Sequence, residues 1–257
     1  MPFLRAAGHR LEYRWIPPAR AGAATLVFLH EGLGSAALWG EFPDRLAART
    51  GSGALVYSRY GFGRSDPLAQ QRTRNYLHDE ALEALPAVLA DRRIERPVLV
   101  GHSDGATIAL IYAALAGAPV RGLVLEAAHV FVEDATIRGI ERARAAYAAG
   151  TLRERLAPHH ADVDATFRGW ADVWLASEFR EWNIEDVLPR VRCPALVIQG
   201  EDDQYGTIAQ VEAIRDGVSG PVELMLIHGS GHAPHVDRAG LVLDATARFI
   251  ARLEGSA

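Results

Sequence analysis

A chain of 257 residues that is 49% hydrophobic can bury one large core and fold as a single main domain. Its formal net charge is −5, with arginines scattered among acids, so no basic stripe recommends nucleic acid or an anionic membrane as a partner. The single cysteine, Cys193, excludes an internal disulfide and a thiolate cluster, and its place before Pro194 and an apolar run reads as a half-buried structural thiol.

The opening MPFLRAAGHRLEYRW has neither a signal-peptide core nor a cleavage site. No apolar stretch approaches the roughly 18 residues of a membrane span, and a soluble cytoplasmic protein is the expectation. Residues 11–15 predict an edge strand, with PPARAGA as its turn. Short apolar runs then recur at 26–29, 54–57, 98–100, 123–125, 196–198 and 224–227, separated mostly by helix-like segments. That alternation predicts an α/β fold whose parallel sheet is covered on both faces. Between 125 and 193 the rhythm breaks, and IRGIERARAAYAAG, TLRERLAPHH and ATFRGWADVWLASEF read as helices. The division expected is a core of residues 1–129 and 189–257 with a helical cap over 130–188. Trp170 and Trp174, four apart on one helical face, either fill the cap core or roof a ligand pocket, as does Trp182. The pair His159 and His160 lacks spaced partners and reads as a surface helix end rather than a metal site.

The stretch VLVGHSDGATIAL, beginning at Val98, runs a β-branched strand into Gly101-His102-Ser103-Asp104-Gly105 and then straight into helix formers. Flanking glycines leave room for a tight strand-to-helix turn with Ser103 at its apex, a nucleophile elbow. The following helix points its amino end at the serine and so favours negative charge on a carbonyl oxygen. A neutral serine is a poor nucleophile; it needs a histidine to take its proton and a carboxylate to orient that histidine. Both are available after later strands, Glu201-Asp202-Asp203 following ALVIQG and HGSGHAPH following ELMLI. Loops at the carboxyl ends of parallel strands are where such sheets carry reactive groups.

With these motifs in the order Ser, Asp, His, nearly the whole chain resembles the α/β-hydrolase superfamily: a mostly parallel sheet flanked by helices, with a helical cap. The resemblance implies Asp203, three positions after Gly200, as the triad acid, with Asp202 as runner-up. It implies His232, after Gly231, as the base, ahead of His228 and His235. FLHEGLGS resembles the family's oxyanion loop, which implies the N–H of Gly32 as one donor beside that of Asp104. Glu31 departs from the pattern, standing where glycine is commonest. Buried and unpaired it would cost several kcal/mol, so it is expected to be paired or to point to solvent. In SRYGFGRSD, similar to another loop of the superfamily, Gly61 and Gly63 permit a tight backbone and Arg64 with Asp66 are expected to form an ion pair.

A serine at 103 argues against the haloalkane dehalogenases and epoxide hydrolases of the superfamily, which carry aspartate there. GHSDGATIALIYAA is similar to valacyclovir hydrolase-like enzymes, which implies that Asp104 meets a cationic acyl group; otherwise it caps the helix or faces water. His129 either faces the pocket or is a satisfied loop histidine. The function expected is hydrolysis of a small carboxylic ester or thioester by water, with no cofactor and no metal. Carbon–carbon cleavage of the meta-cleavage type and slow-turnover ligand sensing are the alternatives. Oligomeric state is not legible.

Overall fold

The computed structural model describes residues 1–255. Eight strands form one sheet in the order β1-β2-β4-β3-β5-β6-β7-β8. They are β1 (Phe3–Ala6), β2 (His9–Ile16), β3 (Thr25–Leu29), β4 (Gly53–Tyr57), β5 (Val98–His102), β6 (Gly122–Glu126), β7 (Ala195–Gly200) and β8 (Val222–Ile227). From β4 to β8 every neighbouring pair is parallel, and β1 and β2 pair antiparallel at one side. The helices are α1 (Phe42–Thr50), α2 (Tyr76–Asp79), α3 (Leu85–Arg92), α4 (Asp104–Leu115), α5 (Asp134–Ala148), α6 (Thr151–Leu156), α7 (Val163–Leu175), α8 (Ile208–Gly217), α9 (Pro234–Asp237) and α10 (Ala239–Gly255).

The apolar runs explain the layering. Side chains along a strand alternate between faces, and here both faces are buried. Leu26, Phe28, Val56, Val100 and Ile198 pack under Phe42 and Leu46 of α1 and Phe249 and Ile250 of α10. Their neighbours Val27, Leu29, Leu55, Leu99 and Val197 pack on the opposite face with α3, α4 and α7. Between β6 and β7 the chain runs through α5, α6, α7 and short 3-10 turns, and Ile140, Phe167, Trp170 and Trp174 from this stretch belong to the same apolar cluster as Leu99 and Leu125.

Two expectations are corrected. The strand predicted at 11–15 is β2, and β1 forms the sheet edge outside it; the two are joined by Ala7-Gly8, both in left-handed backbone at φ 49° and 82°, the geometry of a tight hairpin turn. Asp66 pairs with Arg10, accepting from its backbone N–H at 2.7 Å and standing 3.4 Å from its Nε, while Arg64 donates to the carbonyl of Pro158. Strand β2 passes beside that loop, so the nearer cation comes from a distant part of the chain. The half-buried thiol of Cys193 is pushed up to about 11 by burial. Among the described residues no helix is long and apolar enough to cross a membrane.

Candidate active site

Ser103 sits between β5 and α4 at φ 52° and ψ −116°, a conformation that non-glycine residues rarely adopt and that sharp strand-to-helix elbows impose. The flanking glycines are required by space. A Cβ on Gly105 would meet the Leu29 carbonyl oxygen at 1.9 Å, and one on Gly101 the Gly105 carbonyl oxygen at 2.4 Å. Only bare backbone lets α4 start this close to β3 and β5. The Ser103 N–H is anchored on the Glu126 carbonyl at 2.8 Å, and its carbonyl accepts from Ala106 and Thr107. Its hydroxyl, which makes no hydrogen bond among the described residues, is on the wall of a cavity of about 150 Å³.

His232 lines the same cavity. Its Nδ1 lies 2.9 and 2.8 Å from the two carboxylate oxygens of Asp203. Asp203 is itself fixed by N–H donors from Tyr205 and the Gln199 side chain, and its side chain is 1% exposed. Burial alone would raise its pKa, but the facing His232 and then the Tyr205 N–H hold it down to about 2. With Nδ1 committed to Asp203, Nε2 of His232 is the nitrogen free to exchange a proton. Asp202 is exposed. His228 is on the surface beside Glu201, and His235 is buried against Glu126 at 2.5 Å. Of the candidates raised by the sequence, the structure therefore joins Asp203 to His232.

Gly32 and Asp104 flank the cavity, and among the described residues no hydrogen bond uses either backbone N–H. The loop carrying Gly32 is held by His30, whose Nε2 accepts from the Arg59 N–H at 3.0 Å, so that Nδ1 carries the hydrogen and donates to the Glu31 carbonyl at 2.8 Å. Burial and the Arg59 charge keep His30 neutral by pushing its pKa well down. Glu31 turns its carboxylate toward His102, 3.5 Å from Nδ1.

Asp104 is 1% exposed. Its Oδ2 accepts from the Tyr76 hydroxyl at 2.8 Å and stands 3.5 Å from Arg59, which is fully buried. The Tyr76 hydroxyl in turn accepts from Trp174 Nε1 at 2.7 Å. The charge of Asp104 thus already faces a buried guanidinium, and a chain of hydrogen bonds links α7 to α4. His129 lines the cavity with Trp170 and Trp174; burial, then the neighbouring His232, lower its pKa to about 4, so it is a neutral ring at pH 7. Both tryptophans are core and pocket wall at once: they are 7% and 2% exposed and line the cavity. Trp182 stacks on Phe179 behind Trp174. His160 is buried rather than at a surface helix end, accepting from the Gly63 N–H and bonding the Leu33 carbonyl, each at 3.0 Å, because the helix end tucks against two core loops.

Sequence reasoning missed Arg59, Tyr76 and the convergence of His102, Glu126 and His235, whose ligand-type atoms lie within 4.8 Å of one another. Charge and aromatic type alone carry no signal for such contacts across elements. The last three are engaged by protein groups, His235 on Glu126 and His102 on the His232 carbonyl.

This arrangement defines an α/β-hydrolase, and the chain belongs to the alpha/beta hydrolase family, whose model matches residues 26–245. It is 30% identical over 154 residues to the human protein Serine hydrolase BPHL, a match that spans 58% of this chain and 53% of that protein, so about half the length of the relative is shared. Its fold is similar to that of a thermophilic esterase from Thermogutta terrifontis (TM-score 0.76, 18% identity, covering 98% of this chain and 99% of that one). It is similar also to the enol-lactonase from Burkholderia xenovorans (TM-score 0.73, 19% identity, covering 99% and 100%).

Proposed function

We propose that the protein is a serine hydrolase that cleaves a small carboxylic ester or thioester through an acyl-enzyme on Ser103. The observation that carries this is the Asp203–His232 pair at 2.8 Å on the cavity that Ser103 lines. Asp203 fixes the ring so that Nε2 takes the Ser103 proton as Oγ attacks the carbonyl carbon. The oxyanion that forms is met by the N–H groups of Gly32 and Asp104, the latter at the positive end of α4. Collapse of the intermediate expels the alcohol or thiol, which leaves with the proton from His232. Water then attacks the acyl-enzyme with His232 as base, releasing the acid and restoring Ser103.

A cavity of about 150 Å³ holds a group about the size of benzene, which favours a short or single-ring acyl chain. Its walls include Leu33, Ile140, Trp170 and Trp174. Because Arg59 offsets Asp104, the acyl group it favours is neutral rather than the cationic one implied by the resemblance. The test is a panel of esters varying in acyl length and α-amino charge, run beside a vinylogous diketone. Turnover of short neutral esters, lost in Ser103→Ala, is the expected outcome. Cleavage of the diketone alone would assign carbon–carbon hydrolysis instead, and labelling of Ser103 without turnover would assign a sensing role.

A further inference from the structure

His102, the residue before the nucleophile, is 3% exposed, and both of its ring nitrogens face acceptors. Nε2 lies 2.6 Å from the backbone carbonyl of His232, and Nδ1 lies 3.5 Å from Glu31 Oε2, within ion-pair reach but without a hydrogen bond. A carbonyl and a carboxylate can only accept, so a neutral imidazole, with one N–H, serves one of them and leaves the other facing a lone pair. A doubly protonated ring donates to the carbonyl through Nε2 and turns a positive Nδ1–H, rather than a lone pair, toward the carboxylate. We propose that His102 is a buried imidazolium acting as a positioning residue, with Glu31 as its counter-ion, clamping the loop that carries His232 and the loop that carries Gly32 onto the elbow that carries Ser103. The clamp rests on the acyl-transfer roles given above to those three residues.

The departure of Glu31 from the glycine-rich loop pattern then has a physical reason: glycine there would leave the His102 charge without its partner. Gly34 makes room for that partner, since a Cβ on it would lie 2.3 Å from Glu31 Oε2. The groups facing His102 come from four elements. They are Glu31 after β3, Glu126 at the end of β6, His235 on α9, and His232 in the loop before it, with both histidine ring centroids 5.1 Å away. Neutral His129 packs against His232 in turn, their ring centroids 5.8 Å apart. Glu126 is already bonded to His235, which leaves Glu31 as the principal counter-ion. Burial by itself would lower the His102 pKa, but Glu31, then Glu126 and the His232 carbonyl, raise it to about 9. The cation therefore persists through neutral pH and is lost as pH rises through that value.

The most direct test is histidine-selective NMR titration of the full-length Ser103→Ala protein, whose readout needs no catalysis. A His102 ring that is imidazolium at pH 7 and deprotonates near pH 9 is expected; a neutral ring at pH 7 overturns the clamp whether or not the protein cleaves esters. In steady-state assays, Glu31→Gln is expected to lower kcat roughly tenfold at pH 8, to change KM less than about twofold, and to move the alkaline limb down by about one pH unit. A parallel loss at every pH with the limb unmoved would make Glu31 merely structural and also overturn the clamp. Failure of wild-type protein to hydrolyse any ester would strike the proposed function and leave the NMR result standing.

Discussion

Asp203 and its neighbours show what single side chains contribute. Its pKa is held near 2 against an ordinary 3.8, so its ionised form adds stability that is fully present above about pH 4 and lost as pH falls through about 2. Nearly two pH units at a buried site correspond to about 2 kcal/mol. Asp203→Asn is expected to be less stable than wild type by about that amount at pH 5, with the gap closing toward pH 2, measured by denaturant unfolding across that range. An equal gap at both pH values would show that the carboxylate charge contributes nothing. At this scale Ser103, Asp203 and His232 were legible because each sits in a short motif at a strand end. Glu31 and His102 stood in legible motifs but not as partners, and Arg59 was missed, since their contacts depend on how three loops stack. The expected Arg64–Asp66 pair failed for the same reason: sequence proximity is a poor guide when β2 brings Arg10 nearer.

Among the elements, the parallel sheet was readable from apolar runs because strands buried on both faces leave no polar alternation, whereas the strand order, which depends on how the crossovers pack, was not. β1 was not, since FLRA is short and half exposed and its only signal is the Ala-Gly turn. Ala7 there holds φ at 49°, where an alanine costs about 1 kcal/mol that asparagine partly avoids. Ala7→Asn is expected to raise stability by about 0.5 kcal/mol, a gain detectable as an upward shift in Tm; a loss would mean that the turn relaxes to another type. The contact between α7 and α4 rests on Trp174, Tyr76 and Asp104 in a hydrogen-bonded row. Tyr76→Phe removes the hydroxyl, strands the buried Trp174 N–H and leaves Asp104 Oδ2 with only the long Arg59 contact at 3.5 Å, which costs about 1–3 kcal/mol. It is expected to lower Tm and raise KM together, because the same row holds the Trp174 wall of the cavity. A change in neither would show that water replaces the hydroxyl without loss.

Over the whole molecule, the segment between β6 and β7 roofs the cavity yet shares one apolar cluster with the sheet. Calorimetry is therefore expected to show a single cooperative transition, with calorimetric and van't Hoff enthalpies equal; two separated transitions would mark the 130–188 segment as an independent unit. The segment's helices were legible from periodicity and a pocket under the tryptophans was one of two readings, but the cavity's size was not legible, because it depends on how Trp170 and Trp174 pack against the Gly32 loop. The central claim, that Ser103 and His232 act as one proton-relaying unit on that cavity, is tested most directly by mass spectrometry of the protein treated with a fluorophosphonate. One phosphonyl adduct on Ser103 is expected, forming at least roughly 100-fold more slowly in His232→Ala. A Ser103 that stays unmodified, or reacts at the same rate without His232, would contradict it.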